Sequence, residues 1–231
     1  MLKKTTLLIA FISLFAAFYS CSDDNGTDPD NTYEIRSVDG SWYGKTYSEW
    51  SIAWWQWVFE MPVGEHPLFD TAPASKGQPE DLWFLGGKIT LIGESSAENV
   101  ERDITVPYGK AVFFPVTSVV MMAADGDPED SLDIYCENSL QGIDEMFCEI
   151  NGERVEDIFS FKAESERKFS YTLSDNNFLD IEGGTYEDDA YASGYYLLID
   201  NLSKGKHTLR FFIRQDWKDY KQDVIYNITV E

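Results

Sequence analysis

Four tryptophans within eight residues constrain the fold of this 231-residue chain more than any other feature: Trp50, Trp54, Trp55 and Trp57. They lie in the segment Tyr47 to about Met61, whose apolar residues fall at helical spacing and cover both sides of the predicted helix. A helix that is apolar nearly all round is usually buried. The sequence therefore favours a core helix laid across a sheet. An exposed aromatic platform for a ligand is the alternative.

Residues next to this segment predict where the helix begins and ends. Thr46 followed by Glu49 forms a T-x-x-E capping box, in which each side chain satisfies a free backbone donor of the first turn. Pro62 and Gly64 follow and predict where the helix stops.

The rest of the chain reads mostly as short strands separated by turn residues. Gly86-Gly87 predicts a hairpin or a bulge between the first two runs, and Asn151-Gly152 is a strong signal for a two-residue hairpin. The predicted strands lie within Leu82–Leu85, Lys88–Ile92, Ala111–Met122 (interrupted by Pro115), Met146–Val155, Lys168–Leu173, Tyr195–Ile199, His207–Arg214 and Asp223–Val230. This pattern predicts a mainly β fold, an antiparallel β-sandwich of the immunoglobulin or jelly-roll kind with one N-terminal tryptophan-rich helix.

Residues 1–20 have the pattern of a lipoprotein signal peptide. Lys3 and Lys4 precede the apolar run Leu7–Phe18, which is shorter than the roughly 18 residues of a spanning helix, and Ser20-Cys21 closes it. The pattern resembles a bacterial lipobox, which implies a lipid such as palmitate on Cys21. The acidic run that follows resembles the tag that sends Bacteroidota lipoproteins to the outer face of the outer membrane. We therefore expect an outer-membrane lipid anchor, residues 21–38 as an acidic flexible tether, and residues 39–231 as a single β-rich domain.

The charge of the chain excludes one class of partner. Its formal net charge is −23, from 18 basic and 41 acidic residues, and nucleic acid binding requires the opposite balance. Solubility explains so acidic a chain, and a calcium-binding surface is the sharper alternative. The candidate calcium ligands are the acids of one short segment: Asp125, Asp127, Glu129, Asp130 and Asp133. They do not follow the EF-hand pattern.

Two cysteines remain once Cys21 is set aside. Cys136 and Cys148 are compatible with one disulfide in an exported protein, and equally with two buried reduced thiols.

Several motifs resemble a group of secreted bacterial and archaeal proteins to which no activity is assigned. The resemblance covers most of Tyr43 to Val230 and is weaker from about Asp125 to Lys168. It implies domain limits and carries over no catalytic residue. The matching pieces are Gly44–Trp50 with Trp54–Trp57, His66-Pro67-Leu68 with Asp70, Leu82–Gly86, Val106–Ala111 leading to Phe114-Pro115, and the ending from Leu202 through Gly205–Leu209 to Asp223–Tyr226.

Three hypotheses about function follow. The first is a cell-surface binding module for a glycan or an envelope partner, with a platform made of Trp54, Trp55, Phe59, His66 and Asp70. The second is an extracellular glycan-active hydrolase that uses carboxylates near the tryptophan helix. The third is a structural envelope component. The sequence contains no G-x-S-x-G, P-loop, G-x-G-x-x-G or H-E-x-x-H motif to favour another chemistry.

Overall fold

The tryptophan-rich segment is a helix, α1, that spans Tyr47–Glu60. The predicted capping box is present: Glu49 N donates to Thr46 Oγ1 at 3.2 Å, and Thr46 N donates to Glu49 Oε2 at 2.8 Å. The helix ends because Met61, which precedes Pro62, has extended backbone angles, as residues before proline prefer.

The computed structural model describes residues 32–91, 96–123 and 131–231. A second helix, α2, spans Leu132–Leu140. The strands are β1 Glu34–Ile35, β2 Ser41–Trp42, β3 Lys45–Thr46, β4 Leu82–Phe84, β5 Ser96–Val106, β6 Ala111–Met122, β7 Glu145–Ile150, β8 Glu153–Arg154, β9 Lys162–Glu164, β10 Phe169–Leu173, β11 Gly184–Asp200, β12 Gly205–Gln215 and β13 Tyr220–Val230. No helix in the described ranges has both the length and the apolar character needed to cross a bilayer.

The larger sheet is organised around β11, its longest strand. One edge of β11 pairs with β6, and its other edge pairs in turn with β10, β9 and β1. β4 lies parallel to β6, but only over Ala111–Phe113. The smaller sheet has the order β5-β13-β12-β7-β8, with β5 and β13 parallel along their full length. The predicted sandwich is confirmed, and two of its strand pairs are parallel.

Three layers result from this arrangement. Alternate residues of β6 point to opposite faces of the larger sheet. Phe114 meets Phe211 of the smaller sheet, with ring centroids 5.1 Å apart, inside the sandwich. Phe113 points the other way and meets Tyr47 of α1 at 5.7 Å. The helix is therefore buried on the outer face of the larger sheet.

Local turn chemistry accounts for one prediction and corrects another. Asn151 and Gly152 have φ of 54° and 80°, the left-handed pair of a two-residue hairpin between β7 and β8, as predicted. The hairpin predicted at Gly86-Gly87 is wrong, because β4 pairs with β6 and Lys88–Leu91 forms no strand. These glycines are needed for close approach instead: a Cβ would lie 2.8 Å from the Trp54 ring at Gly86 and 2.0 Å from Gln222 Oε1 at Gly87.

One boundary and one helix also differ from the prediction. The tether was expected to reach residue 38, but β1 within it pairs with β11, and Arg36 forms an ion pair with Asp200 at 2.7 Å. α2 was not predicted, since the acidic residues before it favour a loop. Residues 1–31, with the predicted signal and Cys21, lie outside the described residues.

Candidate binding groove

The predicted platform on α1 is not an exposed surface. Trp54 is 3% exposed, Trp55 6%, and Phe59 and His66 are 0% exposed. Trp54 Nε1 donates to the Leu85 carbonyl at 2.8 Å, which fixes the indole inside the core. The prediction of an open aromatic platform is therefore wrong, because a helix that is apolar all round is enclosed by the sheet on one side and by loops on the other.

His66 has a structural role. Its Nδ1 accepts a hydrogen bond from Leu68 N at 3.1 Å, so Nε2 carries the proton and donates to the Val58 carbonyl, also at 3.1 Å. Burial lowers the pKa of His66 to about 4; the Val58 bond opposes this shift and Arg102 adds to it. The imidazole is thus neutral, enclosed and fully used by backbone groups.

Asp70 is held by an arginine that sequence analysis did not single out. Asp70 Oδ1 accepts from Arg102 Nε at 2.6 Å, and the same guanidinium donates to the Gly86 carbonyl, the Leu68 carbonyl and the Tyr226 hydroxyl. Arg102 sits in the polar alternation of β5, so no local signal distinguishes it from a surface residue. It joins the loop after α1 to the smaller sheet.

The acids near the tryptophan helix do not converge. Glu49 caps the helix, Glu60 is exposed, and Glu65 pairs with Lys76 at 2.7 Å. The described residues that border the grooves of this face include no carboxylate. The hydrolase hypothesis therefore gains no pair of carboxylates from this geometry.

Cys136 and Cys148 are both free and buried. Cys136 belongs to α2 and packs with Met121 and Leu132, whereas Cys148 lies inside the sandwich. The disulfide alternative is therefore wrong, and burial raises the pKa of both thiols.

The calcium prediction falls largely on residues that the structure does not describe. Asp125, Asp127, Glu129 and Asp130 lie outside the described residues, and Asp133 is exposed, with Oδ1 accepting from Ile134 N at 2.8 Å. Within the described ranges, no three acids, histidines or cysteines gather as metal ligands would.

A groove of about 670 Å³ lies along β6, at the place where β4 has ended. Six consecutive residues of β6, Thr117 to Met122, border it. Alternate side chains of a strand point to opposite faces, so consecutive residues border one groove only when the backbone edge faces it. β11 pairs with the other edge of β6 over these residues, and no described strand pairs with the edge beyond Phe113.

The two walls of the groove come from different layers; the first is apolar and the second is mixed. The first wall belongs to the helix layer and the loop after β10: Trp55, Phe59, Phe178, Leu179 and Ile181. The second belongs to the smaller sheet and the short 3-10 turn Asp216–Lys218: Gln215, Trp217, Lys218 and Tyr220. Ile89, Thr90 and Leu91 border one end, and Ser139 of α2 borders the groove as well. Trp217 is 61% exposed and Leu91 40%. Trp55 and Phe59 thus contribute buried packing to a wall and no exposed ring face.

The polar atoms of the second wall are arranged around the end of α2. Gln215 Nε2 donates to the carbonyls of Ser139 at 3.1 Å and Gln141 at 3.0 Å, and Trp217 Nε1 donates to Gln141 O at 2.9 Å. Lys218 Nζ also donates to the Ser139 carbonyl. These bonds satisfy carbonyls that the helix leaves free at its C-terminus. They fix Trp217 and Lys218 beside the groove.

A small polar cluster lies beneath the first wall. Trp55 Nε1, Ser118 Oγ and Tyr196 Oη are all buried, and none meets the geometry of a hydrogen bond. Burial raises the pKa of Tyr196, and the proximity of Ser118 and Trp55 opposes that rise. Trp55 and Ser118 border the groove, but the three polar atoms themselves are buried.

Sequence analysis missed this groove because its floor and walls come from distant parts of the chain. One local signal was available: Trp217 is a large apolar residue in the polar turn between the two most regular strands. Single exposed apolar residues are common on protein surfaces, so Trp217 alone does not predict a groove.

Comparison with known proteins adds no family. No protein-family model matches this chain, and no curated protein matches it. A chain in the structure of PbICP-C in complex with falcipain-2 is 12% identical, with a TM-score of 0.28, and the match covers 64% of this chain and 98% of that one. The solution structure of Amebosin is 10% identical, with a TM-score of 0.18, over 58% of this chain and 96% of that one. Similarity at this level carries no argument about function.

Proposed function

We propose that this protein is a lipid-anchored binding module of the cell surface, which takes an extended segment of an envelope protein into the groove along β6. The single observation that carries the proposal is the backbone edge of Thr117–Met122, which faces a groove and pairs with no described strand. A free edge offers N–H and C=O groups that an added strand can satisfy.

The dimensions of the groove suit such a segment. Six strand residues span about 20 Å, so a bound segment of roughly six residues would run beside the whole edge. The volume of about 670 Å³ lies within the roughly 300–1,000 Å³ of typical ligand sites. The apolar first wall and the mixed second wall would receive alternate side chains of the segment, which supplies the sequence preference.

A polypeptide fits this groove better than a glycan does. Sugar rings stack on exposed aromatic faces, and the tryptophans of α1 are buried. Trp217 is the one groove-lining tryptophan of the described residues with a large exposed fraction, and it lies at the rim. The hydroxyl groups of a glycan also do not repeat at the spacing of a strand, whereas an added strand matches the N–H and C=O groups of the edge.

The test is a selection followed by a backbone scan. The full-length chain, purified in detergent, is used to select from a display library of random ten-residue peptides. An enriched peptide is then synthesised as a series in which each backbone N–H is replaced by N–CH₃ in turn. We expect affinity to fall about tenfold or more at alternate positions only, because a β-strand directs every second N–H to its partner.

Two variants give the protein side of this test. Trp217→Ala should weaken the enriched peptide several-fold, since it removes apolar area from the rim. Tyr108→Ala is the matched control: Tyr108 is equally exposed, at 60%, and does not border the groove. No enrichment, or an N-methyl scan without a two-residue period, would contradict the proposed function.

The anchoring part of the proposal rests on Cys21 and has its own test. Changing Cys21 to Ala should move the protein from the membrane fraction to the soluble fraction of the cell envelope. Wild-type protein processed in the same strain is the control. Persistent membrane association of the variant would show that the anchor is not at Cys21.

Calcium at Asp125–Asp133 also stays part of the proposal, because clustered carboxylates provide the oxygen ligands that calcium prefers. Thermal melts with millimolar calcium and with chelator provide the test, since a ligand bound only by the folded state raises the melting temperature. Identical melts would count against the site.

A further inference from the structure

Lys218 is the unusual residue of the groove. It belongs to the turn Asp216–Lys218, is partly buried, and forms part of the second wall. Its ammonium donates to the Ser139 carbonyl and lies 4.9 Å from the ring centre of Trp217. An ammonium has three donors, so these contacts leave hydrogen-bonding capacity toward the groove.

The surroundings of Lys218 lack the partner expected in so acidic a chain. The protein has 41 acidic residues against 18 basic ones, yet no carboxylate of the described residues forms an ion pair with Lys218. Three other lysines form ion pairs with carboxylates, and all three pairs are solvent-accessible: Lys76 with Glu65, Lys88 with Glu98 and Lys162 with Glu137. A partly buried charge without a counter-ion is costly, and burial accordingly lowers the pKa of Lys218.

Hydrogen bonding to the end of α2 explains only part of the charge on Lys218. Gln215 and Trp217 already donate to the same group of carbonyls through neutral N–H groups. The helix dipole favours a cation at this end of α2, but it provides no counter-ion for the partly buried ammonium.

We infer that Lys218 recognises an acidic side chain of the bound segment, so that the ligand is an extended, mostly apolar peptide with one aspartate or glutamate at a fixed position. This inference rests on the proposed function. Charge complementarity supplies the specificity: a carboxylate entering the groove would satisfy the free donors of Lys218 and offset its burial, while a second positive charge there would be rejected.

The first test leaves the protein unchanged. Peptides enriched on the wild-type chain from the random display library should share an acid at one position. Replacing that acid by its amide, Asp→Asn or Glu→Gln, should weaken binding to the wild-type chain about tenfold. The same replacement should have little effect on binding to the Lys218→Gln variant, because that variant has no ammonium for the acid of the peptide to contact.

The second test reverses the preference. Selection on Lys218→Glu should enrich lysine or arginine at the position where the wild-type chain selects an acid. Lys218→Arg should keep the acid preference. Lys221→Gln is the matched control, since Lys221 is exposed, lies three residues along the chain and does not border the groove. Thermal melts of each variant report its folding separately.

The outcomes separate the two claims. Enriched peptides that pair with the edge but carry no acid preference, or a preference that survives Lys218→Gln, would overturn the role of Lys218 and leave the proposed function standing. A preference confined to free C-terminal carboxylates would overturn the assignment to a side chain. Failure to enrich any peptide on the wild-type chain would overturn both.

Discussion

The two halves of β6 differ in a single neighbouring strand, and that difference separates the core from the groove that we propose as a binding site. Val112 and Phe113 pair with β4 on one edge and β11 on the other, and every residue of Ala111–Phe114 is 0% exposed. Thr117–Met122 keeps β11 as its partner, but β4 has ended, and the second edge, which pairs with no described strand, borders the groove. The first half of β6 is therefore part of the core and the second half borders the groove, because β4 is only three residues long.

Pro115 marks the boundary between these halves. The pairing of β6 with β11 shifts there: Tyr196 faces Pro115 and Tyr195 faces Thr117, so Val116 is an extra residue on β6. Proline cannot donate to a ladder and is tolerated at edges and bulges. The sequence predicted an interruption at Pro115, and the strand instead continues through a bulge.

The largest difference between the two halves should be in stability. Phe113 is fully buried and contacts the rings of Tyr47, Phe84 and Tyr196, so Phe113→Ala should cost about 3–5 kcal/mol of unfolding free energy. Val120→Ala, in the groove half, removes a partly buried side chain and should cost only about 1 kcal/mol. Urea denaturation measures both variants. Equal costs would mean that the groove half is packed as tightly as the core.

The next largest effect is a dependence of folding stability on pH, which arises from His66, a buried residue that packs beside α1. His66 has a pKa of about 4 in the folded protein and an ordinary value of 6.5 when unfolded. The unfolded state therefore binds the proton first as the pH falls, and stability is lost between pH 6.5 and 4, by at most about 3 kcal/mol.

The substitution His66→Gln isolates this contribution, because glutamine can accept from Leu68 N and donate to Val58 O without titrating. The difference in melting temperature between wild type and variant, measured from pH 7 to pH 4, should shift in favour of the variant as the pH falls. A constant difference would show that the imidazole is not held neutral.

A smaller effect is expected at the exposed end of the same layer. Thr46→Ala removes the side-chain oxygen that accepts from Glu49 N and should cost about 1 kcal/mol in urea denaturation. Thr46→Ser keeps the oxygen and serves as the control. Equal losses of unfolding free energy in both variants would mean that the methyl group of Thr46 stabilises the protein and that the capping hydrogen bond does not.

How far the sequence predicts this molecule depends on how local each signal is. The helix was predictable because its cap, its apolar spacing and the proline after it lie within one segment. The last two strands were predictable from their alternation, and the hairpin at Asn151-Gly152 from its turn residues.

The groove was not predictable in the same way. Its floor exists because β4 stops beside Phe113, and nothing in the residues around Thr117 encodes that stop. Whether Trp55 and Phe59 face solvent depends on a loop more than a hundred residues away, at Phe178. The position of Lys218 likewise depends on α2, which the acidic composition of its surroundings concealed. These features arise from the meeting of distant segments.

The most direct test of the account is amide hydrogen exchange along β6 of the full-length chain, with and without an enriched peptide. An added strand must slow exchange at alternate amides between Thr117 and Met122, whose outward N–H groups gain partners, and must leave Ala111–Phe113 unchanged, since these residues are already enclosed. The predicted result is slower exchange at every second amide of Thr117–Met122 and no change at Ala111–Phe113. Unchanged exchange at Thr117–Met122 under saturating peptide would contradict the account.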